Sequence, residues 1–92
     1  MRKIKITYPG WYDELAEFEH AEKGFLEGVL VTSEEGDIML NFYDAVRFVQ
    51  DATDGVRDDG FFYMPNIVVV ESVSRRNIEA AAQRIVDGGL AV

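Results

Sequence analysis

The order of strand-like and helix-like segments predicts an α+β domain: β-α-β-β-α-β, a ferredoxin-like order, followed by an extra C-terminal helix. Three observations carry that expectation. Residues 2–8 and the stretches Phe25–Thr32 and Asp37–Tyr43 alternate with the period of two of half-buried strands. Ile67-Val68-Val69-Val70 is an unbroken β-branched run. Residues after Asp44 and after Ser74 repeat apolar side chains at helical spacing.

In the first strand Ile4, Ile6 and Tyr8 point one way and Lys3, Lys5 and Thr7 the other. Pro9-Gly10 breaks it. Trp11 to Lys23 is rich in Glu, Ala and Leu, places Trp11, Leu15 and Phe18 at i, i+4 and i+7, and stops at Gly24, which reads as a helix. The same stretch also alternates through Ala16, Phe18 and His20. Read as a strand, it converts the fold to an antiparallel β-meander followed by two helices.

Ser33-Glu34-Glu35-Gly36 joins the next two strands, with Gly36 able to take the left-handed conformation that closes a hairpin. Ile38, Leu40 and Phe42 share one face of the second strand, opposite Met39, Asn41 and Tyr43. Asp44 then caps a helix to about Arg57. Its inner stripe is expected at Ala45, Val46, Val49, Ala52 and Val56, with Phe48 beside it. The outer face pairs Asp44 with Arg47, Arg47 with Asp51, and Asp54 with Arg57, each worth about 0.2–0.5 kcal/mol on a helix surface.

Asp58-Asp59-Gly60 is a turn, and Phe61 to Glu71 is extended with an interruption at Met64-Pro65-Asn66. The β-branched run asks for cover on both faces, supplied by the last helix or by a second subunit. Ser74 caps that helix, Val73 and Ile78 form a hydrophobic staple, and Ile78, Ala81, Ala82, Ile85 and Val86 line its inner face up to Gly88-Gly89.

Ninety-two residues make one domain, 1–92, since a chain this short buries one core. With 48% hydrophobic residues there is enough apolar material to fold without a cofactor or metal. No cysteine is present, which removes disulfides, thiolate nucleophiles and cysteine-based metal sites. The charged first residues do not form a signal peptide, and no apolar run approaches the roughly 20 residues of a membrane helix, so a cytoplasmic location without membrane contact is the expectation.

The net charge of −8 is unevenly distributed: residues 1–12 carry +3, residues 13–59 carry −11 and residues 60–92 are balanced. An acidic field repels phosphate backbones, which argues against nucleic-acid binding. A basic protein partner fits it better.

Catalytic signatures are missing. His20 is the single histidine, no Gly-x-Ser-x-Gly elbow occurs, and neither glycine-rich phosphate motif is present. The carboxylates of Asp51, Asp54, Asp58 and Asp59, and of Glu34, Glu35 and Asp37, lack an EF-hand frame and read as solvated surface. Aromatics at Tyr8, Trp11 and Tyr12 and at Phe61, Phe62 and Tyr63 read first as plugs at the ends of a core.

The pointed feature is Ser72-Val73-Ser74-Arg75-Arg76. Two arginines in a first helical turn oppose the macrodipole and call for a compensating anion. A bound phosphate or carboxylate held by Ser72, Ser74, Arg75 and Arg76 supplies it, as do the chain's own acids, which are the favoured partners in so acidic a protein. The leading functional expectation is a non-catalytic interaction module of regulatory, inhibitory or toxin-neutralising type. Its acidic surface, chiefly Glu34, Glu35, Asp58 and Asp59, faces a basic partner. The alternatives are a small anion-binding domain or enzyme at Ser74, Arg75 and Arg76, and a homo-oligomer closed through an open sheet face.

Overall fold

The computed structural model describes residues 2–88. It is an α+β fold with seven elements: β1 (Ile4–Thr7), α1 (Glu14–Lys23), β2 (Phe25–Ser33), β3 (Gly36–Asp44), α2 (Ala45–Asp59), β4 (Ile67–Val70) and α3 (Arg75–Gly88). The expected order along the chain is therefore present. Residues 14–23 are helical rather than a strand, because Asp13 accepts a hydrogen bond from the Ala16 N–H at 2.8 Å and Gly24, at φ +82°, closes the other end onto the His20 carbonyl. The proposed stop at Gly88-Gly89 is only half visible, since Gly89 lies outside the described residues.

Across the sheet the strands run β1-β2-β3-β4. β1/β2 and β2/β3 are antiparallel, while β3 and β4 are parallel neighbours. The sheet is thereby mixed, where the ferredoxin-like reading implies an open antiparallel one. The cause is the crossover through α2: a 15-residue helix returns the chain to the end of the sheet from which β3 set out. In a split βαβ unit another strand separates the two parallel strands; here Phe42 pairs directly with Val68.

One face of the sheet carries the core. Ile6, Val31 and Ile38 lie in register across β1, β2 and β3, and Leu26, Phe42 and Val68 across β2, β3 and β4. α3 packs on this face with Ile78 and Ala82 at 0% exposure and Val86 nearly so. The staple residues Val73 and Ile78 are both fully buried, and Ser74 caps the helix through its hydroxyl and carbonyl, to which the Asn77 and Ile78 N–H groups donate. A bulge at Glu27-Gly28 keeps Leu26 and Val29 on the same face despite their odd separation. Gly28 sits at φ +79° and its N–H donates to Asn41 Oδ1.

The opposite face is covered at one end by α2. Tyr43 points there, 99% buried, with its ring edge-on to Phe48, which in turn meets Phe62. Gly55 is where the following loop crosses the helix, since a Cβ there would stand 3.1 Å from Phe62. Two helical stripes lie mostly outward. On α2, Ala45 is exposed and Val46, Val49 and Val56 are 79%, 60% and 57% exposed, against expectation, whereas Phe48 and Ala52 face inward as expected, joined by Gly55. On α1, Leu15 and Phe18 are 66% and 64% exposed and Ala16 faces the core. The β-branched run of β4 is half satisfied: Val68 and Val70 join the core, while Val69 is about half exposed.

Candidate functional site

The N-terminus of α3 gathers the most chemistry. Tyr8, at the end of β1, and Tyr12, after the turn in which the Tyr12 N–H donates to the Pro9 carbonyl, stack at 4.8 Å between centroids and 14° between planes. The Arg75 guanidinium lies over both rings, 4.8 Å from one centroid and 5.1 Å from the other. Glu17 of α1 meets the same residue twice: one carboxylate oxygen accepts from the Arg75 backbone N–H at 3.1 Å, and the other lies 3.7 Å from its Nε. The Tyr8 hydroxyl donates to Glu79 at 2.9 Å. Tyr12 Oη is buried with no hydrogen-bond partner among the described residues.

Both phenols are pushed above the ordinary tyrosine range. Desolvation is the main cause for each, followed by the Glu79 hydrogen bond at Tyr8 and the charge of Glu17 at Tyr12. Both phenols thus favour the protonated form, and Tyr8 uses its proton as a donor to Glu79.

The sequence points to four residues for an anion: Ser72, Ser74, Arg75 and Arg76. Ser74 is engaged in capping, and Ser72 accepts from Asn77 Nδ2 through both its carbonyl and hydroxyl. Arg75 faces Glu17 and the tyrosines. Arg76 is exposed and forms no ion pair among the described residues. The helix N-terminus thus already holds an intramolecular carboxylate. Glu17 lies outside the residues that the sequence points to. Its signal there is indirect: arginine in a first turn demands a nearby acid, and the chain's surplus of acids does not say which.

The acids divide just as unevenly. Glu35 pairs with Arg2, and Asp58 with Arg57, whose Nε lies 3.1 Å from it. Glu34 and Asp59 are exposed without an ion pair among the described residues. So the four residues of the expected partner surface separate into two neutralised and two free ones, at the hairpin tip and the end of α2. On α2, Arg47–Asp51 and Arg57–Asp54 are ion-paired at 2.8 and 3.1 Å, while Asp44 serves the Arg47 backbone N–H as the cap. Among the described residues no group of three or more carboxylates or histidines converges to hold a metal ion. No described helix is long and apolar enough to cross a membrane.

α1 presents the densest free charge. Glu14, Glu19 and Glu22 are exposed and have no ion pair among the described residues, and Leu15 and Phe18 stand between them. His20, on the inner side, has Nδ1 2.7 Å from the Phe25 carbonyl and its ring against Trp11 and Phe25. A carbonyl only accepts, so Nδ1 carries the proton and the ring is a structural bridge between α1 and β2.

Comparison of the chain with protein-family models, with curated proteins and with solved structures returned no match.

Proposed function

We propose that the chain is a non-catalytic interaction module that binds another protein, with its acidic face directing it to a basic partner. The observation that carries this is the outward turn of the apolar stripes on α1 and α2. A helix ordinarily buries its apolar side, and Leu15, Phe18, Val46, Val49 and Val56 are all more than half exposed. Scattered exposed apolar residues mean little, but residues repeating on one helix face form a continuous strip suited to a partner. The charge of −11 over residues 13–59 favours association with basic proteins and speeds the encounter.

The test is capture by the immobilised full chain from a lysate of its own host, followed by elution with rising salt. Retained protein should be basic by sequence, should elute with salt, and should be lost when both stripes are replaced by serine. Retention indifferent to salt and to both replacements excludes the module.

A second reading is favoured by one observation, the unpartnered Tyr12 Oη beside Arg75 and the exposed Arg76. In it, a small phosphate or carboxylate displaces Glu17 from the helix N-terminus. Thermal-shift measurements with phosphate and dicarboxylates should then show stabilisation that Arg76→Ala removes; no shift at millimolar ligand disposes of it.

A further inference from the structure

α1 cannot turn to hide its apolar residues, because three contacts fix its inner side. Glu17 holds the start of α3, Ala16 packs on the core, and His20 meets the Phe25 carbonyl. Leu15 and Phe18 are about 60° apart around the helix, with Glu22 between them one turn on and Glu14 and Glu19 on either side. The outer face is thus an apolar pair inside a ring of carboxylates that the chain's own cations leave unpaired among the described residues.

The ring selects the occupant. A second copy presenting the same face brings carboxylate against carboxylate around the contact, and nucleic acid or an anionic membrane is repelled in the same way. The α2 stripe has no such ring, since Arg47 and Arg57 are paired with Asp51, Asp54 and Asp58 on that helix. Of the two stripes, α1 alone is ringed by unpaired carboxylates; among the described residues of α2 the unpaired acid is Asp59, at its last position.

We infer that the outer face of α1 is the docking surface for a cationic amphipathic segment of another protein, one that lays apolar side chains on Leu15 and Phe18 and lysines or arginines against Glu14, Glu19 and Glu22. This rests on the interaction-module reading and names its partner's chemistry. The apolar pair supplies contact area at the centre, and the carboxylates supply register and discrimination at the rim.

The experiment uses the isotope-labelled full chain titrated with a synthetic leucine–lysine helical peptide of about 14 residues, four helical turns. A leucine–glutamate peptide of the same spacing is the control. Saturable binding of the lysine peptide is expected, with amide shift changes centred on residues 14–23. Leu15→Ser with Phe18→Ser should weaken it by roughly tenfold or more, as truncation of central anchors does. Glu14→Gln, Glu19→Gln and Glu22→Gln together should weaken it and flatten its salt dependence. All five positions are exposed, so thermal melts of the variants should match the parent and separate lost binding from lost folding.

Shift changes centred on residues 44–59, or equal binding of the glutamate peptide, overturn the proposal. So does a fall in the light-scattering mass of the unliganded chain on Leu15→Ser with Phe18→Ser, since the occupant is then a second copy. Binding moved to α2 removes this inference and leaves the module reading standing. That reading fails separately, when lysate capture ignores both stripes.

Discussion

Gly24 and Asp44 join α1, β2 and α2 at one point. Gly24 takes φ +82° to end α1, its carbonyl accepts from the Asp44 N–H at 2.8 Å, and the Asp44 carboxylate caps α2. A Cβ on Gly24 would stand 2.5 Å from Asp44 Oδ2. Gly24→Ala therefore meets two costs, the left-handed backbone at about 1–2 kcal/mol and a displaced cap at about 1 kcal/mol. Urea denaturation should show a loss of roughly 2–3 kcal/mol, and in an Asp44→Ala background the same change should cost less, because the clash has gone. A loss that is unchanged in that background removes the steric part of the account. The tyrosine pair makes a second prediction at this scale. Tyr8 and Tyr12 have folded-state values raised above the ordinary 10.0, so above that pH the unfolded chain releases protons that the folded chain retains. Their contribution is complete below about pH 10 and declines as pH rises past it. Stability measured from pH 8 to 11.5 should fall above pH 10, and Tyr8→Phe with Tyr12→Phe should flatten that fall; an equally steep decline in the variant assigns it to other groups.

At the level of elements, periodicity disclosed where helices are but not which way they face. All three helices repeat apolar residues at helical spacing. α3 buries its stripe because Val73 and the cap at Ser74 aim it onto the sheet, whereas α1 is oriented by Glu17, whose partner Arg75 lies on another helix, and by His20, which meets the Phe25 carbonyl at the start of β2. α2 is oriented by Phe48 and Gly55, which a stripe of valines outweighs in the sequence and which matter only because Tyr43 and Phe62 are waiting for them. The hairpin's two strands and its turn were legible, because turn residues and alternation are local; the bulge at Glu27-Gly28 was not. The parallel pairing of β4 was not, since strand direction depends on where α2 delivers the chain. The contrast has a direct measure. Ile78→Ala in α3 should cost about 2–5 kcal/mol as a fully buried truncation. Phe18→Ser and Val49→Ser should each stay within about 0.5 kcal/mol, as exposed substitutions do. Comparable losses at all three positions would mean that the exposed stripes are in fact packed.

Over the whole molecule, the charge map and the apolar map have to be taken together. Of the basic start of the chain, Arg2 is used internally: it pairs with Glu35 at the hairpin tip, and its backbone N–H donates to Asp87 of α3, so β1 is clasped from two sides, while Lys3 and Lys5 are exposed without an ion pair among the described residues. That leaves the acids of α1 and the end of α2 to dominate the exterior, with a net charge of −8 keeping copies apart while apolar strips stand open. Repulsion between whole molecules is screened by salt, with a Debye length near 10 Å at 0.1 M and about 3 Å at 1 M, whereas attraction between apolar strips is not. Copies should therefore associate more as salt rises, and through α2, because its ion pairs leave the strip of Val46, Val49 and Val56 without a charged ring. Light scattering at pH 7 should report a mass that grows between 0.05 and about 1 M sodium chloride, and Val46→Ser with Val49→Ser should suppress that growth while Leu15→Ser with Phe18→Ser leaves it intact. A mass that falls with salt, or growth abolished by the α1 changes instead, would mean that the carboxylate ring does not keep copies off α1, and that the division of labour between the two helices is the reverse.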